Sequence, residues 1–210
     1  MGEKKSRSLT KAEERRKAEF EQLKEKMEEK GYTCQDLTVS ILTANWMAIL
    51  LAIPFVVLFG WLFWICNGSF LFGMGKASLI LLPVLYIICI FLHEGIHGLT
   101  FGLFARRHFQ AISFGFIPQY LTPYCTCKDP LSKGAYLTGA LMPTLVLGIV
   151  TSVLSAFCGV PILFYLGSLL IIGGGGDMTI ALKILGHRSN AKESVFLDHP
   201  CECGVVVFEK

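Results

Sequence analysis

The stretch from Ser78 to Phe104 (SLILLPVLYIICIFLHEGIHGLTFGLF) constrains this chain more than any other, because it is almost continuously apolar yet carries His93, Glu94 and His97. About 20 apolar residues suffice to cross a bilayer as a helix, so it reads as a membrane span. Ionisable groups at that depth are costly and turn toward a bundle interior, a wet cavity or a partner instead of lipid. On a helix, His93 and His97 stand four residues apart and share one face.

The run His93-Glu94-Gly95-Ile96-His97 has the H-E-x-x-H spacing in which two imidazoles on one helical face grip a zinc ion. Catalytic zinc sites take three protein ligands and leave a fourth position to water. Glu94 is then the candidate general base, taking a proton from zinc-bound water and returning it to the leaving amine. Two other readings stay open, a structural polar cluster packed between helices and a proton or ion pathway.

A third ligand must come from another element at the same depth. Asp177 is the only acidic residue in the last apolar run, roughly 161–185, and follows Gly173-Gly174-Gly175-Gly176. With spans starting near Ser78 and Ile162 at the outer surface, His93 and Asp177 both lie about 22 Å in, at 1.5 Å per residue. Four glycines break a helix and permit close backbone approach, and broken backbone at membrane depth is tolerated where it lines a cavity. The alternative is that Asp177 only caps a helix over Met178–Leu185. His108, His187 and His199 lie outside the apolar runs, beside charged residues, and are weaker ligand candidates.

The rest of the chain supports a membrane reading. A hydrophobic content of 53% and a mean hydropathy of +0.56 are too high for an ordinary soluble domain of 210 residues. Further apolar runs lie at roughly 43–66, with Pro54 inside and Trp46, Trp61 and Trp64 near its ends, and at roughly 135–158, with Pro143 inside. The expected class is an all-α membrane protein of about four transmembrane helices, with a small β-hairpin between the second and third and a charged N-terminal cytoplasmic helix. Residues 1–31 form that helix and 32–207 the membrane-embedded domain. Residues 1–40 carry ten Lys or Arg against nine Asp or Glu, so the tail is no polybasic arm, and it does not resemble a cleavable signal peptide. A net charge of +3 suggests no nucleic-acid partner. Lys and Arg collect in the N-terminal tail, the 105–134 loop and the C-terminal tail, which places the protein in the cell membrane as a multi-pass chain with both termini cytoplasmic.

Residues Ala111–Phe116 and Tyr120–Thr126, around a turn at Pro118, predict the hairpin. It reads either as an edge strand for an extended substrate segment or as an interfacial loop. Of the eight cysteines, Cys125 and Cys127 with Cys201, Cys203 and His199 form a weak pattern for a second, structural zinc site, against unrelated reduced thiols. Cys66 and Cys158 end apolar runs near the opposite surface, where they could pair.

His93-Glu94-Gly95-Ile96-His97 in a span, Ile112-Ser113-Phe114-Gly115-Phe116 after it, Pro143 in the next span and Gly175-Gly176-Asp177 in the last together resemble the bacterial putative zincin peptidases, relatives of the site-2 intramembrane metalloproteases. The likeness covers about residues 32–207. It implies an intramembrane zinc (Zn2+) endopeptidase with His93, His97 and Asp177 as ligands, Glu94 as catalytic base, and a transmembrane or membrane-proximal peptide as substrate in the lipid bilayer. The N-x-x-P-x-x-x-L-D-G motif of the better-known site-2 proteases is absent, so the resemblance supplies no oxyanion-stabilising residue. A non-enzymatic membrane protein that handles metal ions or protons is the competing class, and an inactive relative that binds client proteins is a third. Iron, cobalt or manganese would also accept two imidazoles and a carboxylate.

Overall fold

The computed structural model describes residues 11–69, 74–117 and 122–210. The expected turn at Pro118 lies outside them. Among the described residues, three helices are long and apolar enough to cross a membrane: Leu42–Asn67, Lys76–Phe104 and Lys133–Cys158. The pair Pro161–Gly173 and Gly175–Gly186, bent by 47° at the glycine run, passes the same test together, so the described residues hold three candidate spans, or four if the bent pair is one.

The first span belongs to helix α2 (Ile41–Asn67), which runs through Pro54 unbroken. The Ser40 side chain caps it by accepting from the Thr43 N–H, and Gly68 ends it in the left-handed conformation. Helix α3 (Lys76–Phe104) carries the two histidines. No residue of α3 before His97 is buried. The third rod is continuous but not uniform. It comprises α4 (Lys133–Pro143), a π-helical segment Thr144–Ile149 and α5 (Val150–Cys158), and Pro143, which has no N–H to give, stands where the winding widens. Helices α6 (Pro161–Gly173) and α7 (Gly175–Gly186) complete the bundle. Helix α2 packs on α5, α6 and α7, while α3 packs on α4 and α6.

The hairpin pairs β2 (Ile112–Ile117) with β3 (Thr122–Cys127) in the register Ser113↔Thr126 and Gly115↔Tyr124, and it lies against α3.

The chain is mostly helical, but an all-α class is too narrow. Strands β1 (Thr33–Asp36), β4 (Leu131–Ser132), β5 (Ser194–Asp198) and β6 (Val205–Glu209) form an antiparallel sheet in the order β1-β6-β5-β4. Its centre explains its stability. Val205 and Val207 face the ends of α3, α4 and α7, whereas Val206 and Phe208 face helix α1 (Lys11–Glu29) through Met27, Phe20 and Leu23. Both faces of β6 are therefore covered, as its unbroken apolar run requires. Phe20, Leu23 and Met27 thus form an apolar stripe by which the otherwise charged α1 docks on this sheet.

Candidate metal centre

Two helices far apart in sequence carry the centre. α3 presents His93 and His97 one turn apart, and α7 presents Asp177 in its first turn, where the helix N-terminus favours a carboxylate. The N-cap is Gly174, so Asp177 is inside the helix and does not cap it. Its position depends on Gly175. A β-carbon there would fall on the backbone of Ala48 in α2, so only glycine lets the two helices approach this closely.

The three side chains meet. His93 Nε2 is 3.1 Å from Asp177 Oδ2, His97 Nε2 is 3.5 Å from the same oxygen, and the two Nε2 atoms are 3.2 Å apart. His97 is the enclosed member, with its side chain 7% exposed against 13% for His93 and 25% for Asp177, which leaves the centre open on the side of His93 and Asp177. His97 Nδ1 lies 2.9 Å from the Gly139 carbonyl of α4. A carbonyl only accepts, so Nδ1 carries the proton and the Nε2 lone pair points inward. The imidazole stacks on Phe101 at 5.7 Å and 9°. The Phe101 ring occupies the place where Gly139 would otherwise hold a β-carbon.

Glu94 is half-buried beside both imidazoles and Asp177, and the Cys125 backbone N–H of β3 approaches its carboxylate. Among the described residues, His93, His97 and Asp177 are the His, Cys, Asp or Glu side chains that gather in a metal-sized group. The cysteine pairs do not assemble with His199. Burial pushes the Cys125 and Cys127 thiols up, Cys127 to about 12, and the Asp198 carboxylate adds to the effect, so both stay protonated near neutral pH. Cys66 and Cys158 are free, exposed thiols. His187 Nε2 pairs with Glu209 Oε1 at 2.7 Å, and His199 Nδ1 accepts from the N–H groups of Cys201 and Glu202.

The profile of the family described as "Putative zincin peptidase" matches residues 86–192. The chain belongs to that family. The matched segment holds His93, Glu94, His97 and Asp177 but neither α1, α2 nor strands β5 and β6. No curated protein and no solved structure matches the chain. Zinc is the metal a zincin family implies, and the donor set fits it. Ligand atoms at the usual zinc bond lengths in a tetrahedron are about 3.3 Å apart, and the three separations here, 3.1, 3.2 and 3.5 Å, bracket that value. Two imidazole Nε2 atoms and a carboxylate oxygen also bring three potential donor atoms to one point, where a cation satisfies them.

The structure brings together His93, His97 and Asp177, which the sequence singles out with Glu94, but the supports around them are not foreseen in it. The Gly139 carbonyl and the Cys125 amide are backbone groups, which no side-chain pattern reveals.

Proposed function

We propose that the protein is an integral membrane zinc metallopeptidase, similar to the site-2 proteases, that hydrolyses a peptide bond within or next to the bilayer. The observation that carries this reading is the triangle formed by His93, His97 and Asp177 from two separate helices, in a chain of the zincin peptidase family. These three residues would hold the metal. When bound, zinc acts as a Lewis acid that eases deprotonation of water and polarises a carbonyl. Glu94 takes the proton of the attacking water and passes it to the leaving amine. The Cys125 amide steadies that carboxylate, and the Gly139 carbonyl fixes the tautomer and ring plane of His97.

Support for a membrane-borne substrate comes from the setting. The flank of α3 leading to the motif is unburied and apolar, with Leu79, Ile80, Val84, Ile87 and Phe91 exposed, so a transmembrane or membrane-proximal peptide can reach the centre from lipid. Ion or proton transport would need polar groups continuing across the other half of the membrane, and residues 78–92 offer only Ser78, Tyr86 and Cys89. The charge asymmetry supports a topology with the motif end of α3 and both termini on the cytoplasmic side.

The test compares membranes from cells producing the wild-type chain or Glu94→Gln by mass spectrometry of protein N-termini. New membrane-proximal termini with the wild type alone are expected. Identical sets of termini from the two would count against a peptidase.

A further inference from the structure

Strand β3 has two edges, and its outward-pointing amides turn toward two carboxylates, one of them in a hydrogen bond. Thr126 and Tyr124 face Ser113 and Gly115 of β2, and the Lys128 N–H continues the ladder to the Ala111 carbonyl. Alternate residues of an antiparallel pair direct their N–H away from the partner strand, which turns out the amides of Cys125 and Cys127. The Cys125 N–H approaches Glu94. The Cys127 N–H donates to Asp198 Oδ2 at 2.8 Å.

Asp198 also holds a second element. Its Oδ1 accepts from the Tyr136 hydroxyl at 2.5 Å. Tyr136 is buried on α4, one turn before the Gly139 carbonyl that receives His97, and its ring packs on Phe101, the residue stacked on His97. Asp198 itself ends β5, where Leu197↔Val206 and Asp198↔Val205 pair it with the fully covered strand β6. One carboxylate on the four-stranded sheet, outside the family-matched segment, thus ties β3 to α4 between the two arms of the centre.

We propose that Asp198 is a positioning residue for Glu94: by accepting from the Cys127 amide and the Tyr136 hydroxyl, it fixes β3 against α4 so that the Cys125 amide meets the Glu94 carboxylate. This rests on the reading of Glu94 as the base, although the contact it concerns can be measured without turnover. Asp198 takes no part in the chemistry.

The test uses the full chain, zinc-loaded in detergent, with residue-resolved amide hydrogen exchange on wild type, Asp198→Asn, Tyr136→Phe, Glu94→Ala and the Asp198→Asn/Glu94→Ala double variant. Hydrogen bonds to charged acceptors are strong enough that losing one speeds exchange about tenfold or more. Asp198→Asn is expected to speed both Cys127 and Cys125 by that factor, and Tyr136→Phe to speed the same two amides less. Glu94→Ala is expected to speed Cys125 alone, and the double variant to exchange at Cys125 no faster than Glu94→Ala. The Val207 amide, unchanged throughout, shows that the sheet is intact. The infrared carboxyl band of Glu94, isolated by subtracting the Glu94→Gln spectrum, should shift in Asp198→Asn, which a mere strand staple would not cause. Faster exchange at Cys127, with Cys125 and the Glu94 band unchanged, would overturn the proposal. Wild-type protein that takes up no zinc would instead overturn the peptidase reading on which it rests.

Discussion

The helix bundle and the four-stranded sheet arrange apolar surface in opposite ways. In the bundle, large apolar side chains point outward, with Leu42, Trp46, Ile80 and Phe91 all more than half exposed, and the polar centre lies inside. In the sheet, Val205, Val206, Val207 and Phe208 are closed off between α1 and the helix ends. The first arrangement suits a chain dissolved in lipid and the second a chain in water. The candidate metal centre sits at their seam. His97 stacks on Phe101, and Phe101 shares a core with Phe196, Val205 and Val207. The bundle supplies the three candidate ligands, and the sheet supplies Asp198, which bonds to the hairpin at the Cys127 N–H and to α4 at the Tyr136 hydroxyl.

If that division is real, each region can be damaged separately. Phe208→Ala empties a fully buried site and should destabilise the sheet by about 3–5 kcal/mol. Hydrogen exchange over residues 194–209 should rise while the helices at 41–67 and 161–173 keep their protection. Loss of protection in those helices as well would show that the two regions form one cooperative unit.

Gly175→Ala makes the converse attack. The added methyl meets the Ala48 backbone, and overpacking of this kind costs about 1–3 kcal/mol. Displacement of α7 should carry Asp177 away and lower zinc content, with β6 exchange unchanged. Unaltered zinc content would mean that the α2–α7 contact does not set the ligand.

A smaller effect is expected from pH. Burial pushes the Glu209 carboxyl up, but hydrogen bonds from His187, Ser189 and Ser194 outweigh it and hold the group below its ordinary 4.5. A depressed carboxyl contributes stability that is present above the ordinary value and lost as pH falls through the folded one. Thermal unfolding of the sheet should therefore soften below about pH 4.5, and Glu209→Gln should flatten that dependence. The same slope in the variant would assign it to other carboxylates.

The two regions also differ in what their sequences disclose. Two histidines, a glutamate and an aspartate in apolar runs are conspicuous because lipid makes them expensive, and equal depth along two helices was enough to bring His93 and Asp177 together. The glycine run was legible for a different reason, since it breaks a helix wherever it falls. The sheet gave no such signal. β6 shows no alternation because both its faces are covered, and its partner at Thr33 is 176 residues from Glu209. Asp198 looked like an ordinary acidic residue after a short apolar run. Its importance comes from Tyr136 and the Cys127 amide, which only the folded chain places beside it.

The central claim is that His93, His97 and Asp177 hold one metal ion. Its most direct test is elemental analysis of the detergent-purified protein, comparing wild type with His93→Ala, His97→Ala, Asp177→Ala and Glu94→Gln. About one zinc per chain is predicted for wild type and Glu94→Gln, with loss from the three ligand variants. Wild type without zinc even after reconstitution, or ligand variants that hold as much as wild type, would contradict the account.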